Sequence, residues 1–145
     1  LTLPDMAVFG AKDYQQAAII RRMTSNLNIP VKVIIAPTIR EKDGLAMSSR
    51  NAYLNKEERS QSPILIQTLT EAKGIVRSSP DQSIQTTKIQ SILKARIRTK
   101  KLAKLDYIAF FDPVTLQPLD KVCKGSHMAL AVYFGKTRLI DNIRL

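Results

Sequence analysis

Cysteine and histidine each occur once in these 145 residues. The lone Cys123 can form no disulfide within the chain, which fits a reducing, cytoplasmic compartment. It also has no histidine or aspartate at a suggestive spacing, so no thiol nucleophile is expected. The lone His127 leaves no histidine pair for a metal site or for nucleotide activation, and its place at a strand start reads as structural or exposed. No apolar run of roughly 18 residues exists, so nothing is expected to span a membrane. Aromatics make up 6% and fall mostly in core-patterned strands, which counts against a surface that stacks nucleic-acid bases. Acidic residues are scarce: 12 Asp and Glu against 23 Lys and Arg give a net charge of +11. Such an excess implies an anionic partner, whether nucleic acid, a phosphorylated ligand or an acidic protein face. The opening LTLPDMAVFG has no initiator Met, basic n-region or cleavage pattern, so it does not read as a signal peptide. It begins on the approach to a strand, as in a chain cut from a longer one.

What is present suffices for a core, with 44% hydrophobic residues. Met6 to Phe9 is an apolar run closed by Gly10, which reads as a buried strand. After Gly10-Ala11-Lys12-Asp13 comes a helix with Gln16, Ile20, Met23 and Leu27 on one face. Asp13 and Gln16 have the spacing of a capping box. The helix fades at Asn26-Leu27-Asn28, before Pro30. Val31 to Ala36 is a second β-branched run, so the first stretch predicts a βαβ unit with adjacent parallel strands. Beyond Asn55 a helix is expected from Lys56 to Val76, with Leu65, Leu69, Ala72 and Val76 inward. A break at Arg77-Ser78-Ser79-Pro80-Asp81 follows. A second helix runs from about Gln82 to Thr99, with Ile89, Ile92, Leu93 and Ile97 inward. Alternation predicts strands over Leu105 to Phe111, Met128 to Phe134 and Thr137 to Asn142, the last two joined by a hairpin at Gly135-Lys136. The expectation is therefore an α/β piece, residues 1–42, followed by a small α+β domain, residues 43–145. The second has two helices on a three-stranded, mostly antiparallel sheet, and a charged hinge runs through Thr38 to Leu45.

Two polar loops carry the chemistry. In a parallel sheet both strand exits lie at one edge, where open α/β sheets bind ligands. One exit holds Gly10 to Asp13; the other leads to Asp43-Gly44-Leu45-Ala46-Met47-Ser48-Ser49-Arg50-Asn51. That nonapeptide has the residues of a mobile phosphate-gripping loop: a glycine, adjacent hydroxyls, a planar cation, and Leu45 and Met47 as apolar anchors. It equally suits a surface loop whose Ser49 caps a short helix. Lys12 fits phosphate neutralisation at a helix start or a solvated surface. Asp13 fits a ribose contact or a cap. Gln16 fits the capping box or a polar ligand. The basic stretch from Lys94 to Lys104 fits a solvated helix face better than a nucleic-acid patch, since Tyr107 is the one aromatic near it.

FGAKDYQQ with IIRRM behind it, then PTIREKDGLAMSSRNAYL, and the terminal GKTRLIDN together resemble the pantothenate synthetase (pantoate–β-alanine ligase) family, over its second half only. The resemblance implies the last βα elements of a Rossmann-like nucleotidyltransferase domain, then a lid domain with a KMSKS-like loop; the family's HxGH motif is absent here. It implies ATP, with Mg2+ carried on the nucleotide, and pantoate and β-alanine as substrates. It implies no nucleic-acid or membrane partner, and a homodimer for the complete enzyme. By position, Gly10, Ala11, Lys12 and Asp13 belong to the ATP site, with Lys12 on phosphate and Asp13 on ribose. Ala11 replaces an acidic residue common in the family, a change that a backbone contact survives. Gln16 is implied for pantoate, and Ile39 for the adenine side through its backbone. Met47, Ser48, Ser49 and Arg50 are implied for the triphosphate, Lys12, Ser48, Ser49 and Arg50 being catalytic. Two rivals remain: a basic nucleic-acid-binding module, and a related adenylate-forming ligase with another acid and amine.

Overall fold

Short β-branched runs and one long apolar stripe divide the chain into two compact units, Leu1–Ile39 and Arg40–Leu145. The computed structural model describes residues 3–79, 81 and 83–145. The expected break at Pro80 and helix start at Gln82 fall outside the described residues, as do Leu1 and Thr2. Among the described residues no helix is long and apolar enough to cross a membrane.

The first unit is strand β1 (Met6–Gly10), a 3-10 turn (Ala11–Asp13), helix α1 (Tyr14–Asn26) and strand β2 (Lys32–Ala36). β1 and β2 pair in parallel, with Val8 opposite Ile34 and Gly10 opposite Ala36. Both chain exits therefore leave the same edge. Asn28 takes a positive φ of 48° just beyond α1, and Pro30 has no N–H with which to extend the helix. The expected inward stripe on α1 is shifted. Ala17 is buried, whereas Gln16, Met23 and Leu27 are exposed. The capping box is also not formed: Asp13 makes no side-chain capping bond, because the 3-10 turn puts it at φ −97°, ψ 62°. Met6, Val8 and Ile34 share one sheet face and are exposed.

The second unit holds α2 (Lys56–Gln61), α3 (Ile64–Ser78), β3 (Ser83–Gln85), α4 (Thr86–Arg98), β4 (Ala103–Phe111), β5 (Lys121–Cys123), β6 (His127–Phe134) and β7 (Thr137–Arg144). The sheet order is β4-β6-β7, antiparallel throughout. Leu65, Leu69, Ala72 and Val76 on α3 and Ile89, Leu93 and Ile97 on α4 pack into one core with Met128, Leu130, Val132 and Phe134 of β6. Ile92, expected inward, is exposed on the outer flank of α4.

Three departures have local causes. The long helix expected over 56–76 is two helices, because Pro63 lacks the N–H needed for continuation and Ser62 ends α2. α2 is then set by a capping box of Asn55 and Glu58. The helix expected from Gln82 starts at Thr86, because Ser83–Gln85 is taken by a small antiparallel ribbon with β5. Along β4 the register shifts between Leu105 and Tyr107, so Asp106 is an extra residue and the alternation changes phase. Ile108 and Phe110 are buried in consequence, while Tyr107 is exposed beneath the Arg138 guanidinium.

Candidate functional site

The first cluster sits at the carboxyl edge of the β1–β2 pair. Gly10 is the last residue of β1 and exposed, Lys12 is half-buried in the 3-10 turn, and Asp13 is exposed at its end. Gln16 lies one turn into α1 with its amide exposed, available to solutes instead of packed inward. Ile39, beyond the end of β2, is likewise exposed. Gly10, Ala11, Lys12, Asp13 and Gln16 are thus gathered within one strand-to-helix junction.

The second cluster is more ordered than a free loop. Arg40 and Ala46 form an antiparallel bridge, and the Glu41 and Gly44 amides donate to the carbonyls of Leu45 and Glu41. The result is a miniature hairpin turning at Lys42-Asp43-Gly44, with Gly44 at φ 89°, a region that favours glycine. Leu45 is only 2% exposed and belongs to the core, so it anchors the loop permanently and not on closure. Met47 is 55% exposed and remains an apolar group at the surface. Ser48 accepts the Arg50 amide and caps a 3-10 turn, Ser49–Tyr53, so the capping residue is Ser48 and not Ser49. Ser49 and Arg50 are exposed.

Beneath this loop lies a charged network that sequence reasoning missed. Arg40 donates to Asp141 through two nitrogens, at 2.7 and 3.1 Å, and to the Gly44 carbonyl at 3.0 Å. The Asp141 side chain is fully buried and also accepts the Asn142 amide. Arg59 of α2 donates to Glu41 at 2.6 Å and to Asp43. Asn51 donates to Glu41 at 2.7 Å and to the Ala46 carbonyl at 3.1 Å. Arg59, and after it Asn51, hold the Glu41 carboxyl below the usual carboxylate range. Arg59 does the same to Asp43, and its own guanidinium is pushed up in return. Asn51 stands inside the motif SSRNAYL, but no local pattern ties it to Glu41, and Arg40 and Asp141 are 101 residues apart.

His127 is buried at the start of β6, hydrogen-bonded to Asn142 at 2.9 Å and tilted against Phe111. Cys123 is exposed. Among the described residues no group of three or more His, Cys, Asp or Glu could hold a metal ion.

Comparison with known proteins matches the chain to one family. The profile described as Pantoate-beta-alanine ligase covers residues 1–144. The pantothenate synthetase of Clostridium botulinum (strain 657 / Type Ba4) is 46% identical over 139 residues, which is 96% of this chain and 48% of that protein. That of Desulfovibrio desulfuricans is 46% identical over the whole chain and 51% of its own length. Among solved structures, pantothenate synthetase from Thermus thermophilus has a TM-score of 0.87 at 37% identity, covering 97% of this chain and 50% of that one. The Francisella tularensis pantoate-beta-alanine ligase, solved with beta-gamma ATP and beta-alanine, has a TM-score of 0.59 at 29% identity, covering 99% and 44%. The chain spans about half the length of the curated relatives it matches. With a family profile that runs almost from end to end, the chain belongs to the pantoate–β-alanine ligase family.

Proposed function

We propose that this chain supplies the C-terminal part of an ATP-dependent, cytoplasmic pantoate–β-alanine ligase, acting on small molecules and not on nucleic acid. In this reading the first unit, Leu1–Ile39, is the end of a Rossmann-like nucleotide-binding domain and the second, Arg40–Leu145, forms the lid. The observation that carries it is the pair of clusters: Gly10–Asp13 at the exit of a parallel strand, and exposed Ser49 and Arg50 on a braced loop. The exposed Met6–Val8–Ile34 face supports a further layer packed on β1 and β2 in the complete enzyme, since two strands alone bury too little.

The reaction follows in two steps. A carboxylate oxygen of pantoate attacks the α-phosphorus of ATP, the bond to the β-phosphate oxygen breaks, and pyrophosphate leaves. The amine of β-alanine then attacks the acyl carbon of pantoyl adenylate, the acyl–oxygen bond breaks, and AMP leaves as the amine loses a proton. Charge accumulates on the departing pyrophosphate, and Lys12, the Ser48 and Ser49 hydroxyls and Arg50 are assigned to stabilise it. Asp13 holds the ribose, the backbones of Gly10, Ala11 and Ile39 line the nucleotide, Met47 seats against it, and Gln16 orients pantoate. Mg2+ would be carried on the nucleotide phosphates, where it would neutralise part of their charge. The acyl adenylate is already activated, so the second step needs no strong base.

The sequence has a single histidine and hence no HxGH motif, so this chain alone is expected not to form pantoyl adenylate. The test is pyrophosphate release on mixing the chain with ATP and pantoate. None is expected, and sustained release would overturn the division of the site between this chain and an HxGH-bearing portion.

A further inference from the structure

We propose that Asn51 and Arg59 are positioning residues for Arg50 at the end of the phosphate-facing segment Ser48–Arg50. The inference rests on the ATP-site reading above. Ala46 and Asn51 flank Met47 to Arg50, and the Asn51 Nδ2 donates across that gap to the Ala46 carbonyl at 3.1 Å. The same amide nitrogen donates to Glu41 Oε1 at 2.7 Å, so one side chain ties both the far end of the loop and the hairpin strand to a single point. Inside the closure, the Asn51 backbone N–H donates to the Ser48 carbonyl at 3.0 Å. The Asn51 Oδ1 is buried and has no hydrogen-bond partner among the described residues, so the side chain serves through its donor end. An aspartate there would have no such donor, and an alanine would reach neither acceptor.

Arg59 completes the chain of fixation. Its Nη2 reaches Glu41 Oε2 at 2.6 Å, the oxygen that Asn51 does not use, and its Nη1 reaches Asp43. Arg59 therefore orients Glu41, Glu41 orients Asn51, and Asn51 sets the exit angle of the loop. The base is rigid, since α2 carries a complete capping box and Leu45 is sealed in the core. Ser49 and Arg50 stay exposed between these fixed ends. Donors held in place before binding lose less freedom when an anion arrives, which is what a triphosphate site gains from such bracing.

The test is a double-substitution cycle on the intact chain, titrated calorimetrically with inorganic triphosphate. Arg50→Ala should weaken binding about tenfold or more, as for loss of a charge-assisted contact. Asn51→Ala should weaken it about fivefold when Arg50 is present and hardly at all when Arg50 is already alanine, since residues acting as one unit are not additive. An equal loss in both backgrounds would mean that Asn51 does not act through Arg50, and the inference falls while the phosphate reading stands. If Arg50→Ala itself changes nothing, or the wild-type chain binds no triphosphate, the phosphate reading falls and the inference with it. Should Asn51→Ala not fold, Arg59→Lys is read in the same cycle by the same criterion. It keeps the charge but cannot span both carboxylates.

Discussion

Replacing Arg40 by alanine should be among the most costly single changes in the second unit. The substitution strips the Asp141 carboxylate of two charge-assisted bonds, at 2.7 and 3.1 Å, and leaves it fully buried against the Asn142 amide. Removing one partner of a buried ion pair costs about 3–5 kcal/mol, because the stranded charge has lost both water and counter-ion. Arg40 itself is about a quarter exposed, with 26% of its side chain accessible, which places the cost toward the lower figure. A loss of about 3 kcal/mol corresponds to a fall in Tm of roughly 12–20 °C for a unit of about one hundred residues. Thermal and urea melts at neutral pH read it directly. Added salt should change the result little, since a pair this enclosed is weakly screened. The double variant Arg40→Ala with Asp141→Ala should recover part of the loss, because it removes the stranded charge as well. A cost under about 1 kcal/mol for Arg40→Ala would place the pair among ordinary surface ion pairs and refute this reasoning.

Gly44→Ala should cost about 1–2 kcal/mol, since φ is 89° there and the new methyl would meet Ile66 Cγ2 at 3.1 Å; chemical denaturation measures it. Leu69→Ala, at a fully buried core position, should cost about 2–5 kcal/mol in the same assay. Burial, with Arg144 acting the same way and Asn142 partly opposing, pushes the His127 imidazole below its ordinary value of 6.5. The folded state therefore prefers the neutral ring. Its contribution is complete above about 6.5 and is lost as pH falls through that value toward the folded one, and His127→Gln should flatten this part of the stability–pH curve. Glu41 and Asp43 are likewise depressed, so their contribution is present above the ordinary values of 4.5 and 3.8 and lost on further acidification; Arg59→Ala should blunt that loss.

How much could be read from the chain depended on the range of the signal. The stripe Leu65, Leu69, Ala72 and Val76 is buried throughout α3 because a helix repeats its contacts every turn, and that period is written locally. The strands β4, β6 and β7 were legible for the same reason at a period of two residues. Pro63 was legible too, through its missing N–H, and the apolar stripe begins only beyond it, at Leu65. The bulge at Asp106 and the ribbon of β3 with β5 depend on partners far along the chain, and neither has a local signature. Gln16, Met23 and Leu27 fell on an apolar-looking stripe but stay exposed, because the face of α1 that its own strands cover is centred on Ala17. For the site, residue types named the loops, while the bracing of Arg40 by Asp141 and of Asn51 by Glu41 came only with the fold.

In the proposed ligase, Lys12 and Arg50 are each assigned to the nucleotide phosphates. Calorimetric titration of ATP into the wild-type chain, Lys12→Ala, Arg50→Ala and the double variant tests this most directly. Saturable binding is expected, with a loss of about tenfold or more in each single variant and a double variant weaker than either. An affinity for ATP that neither substitution alters would contradict it.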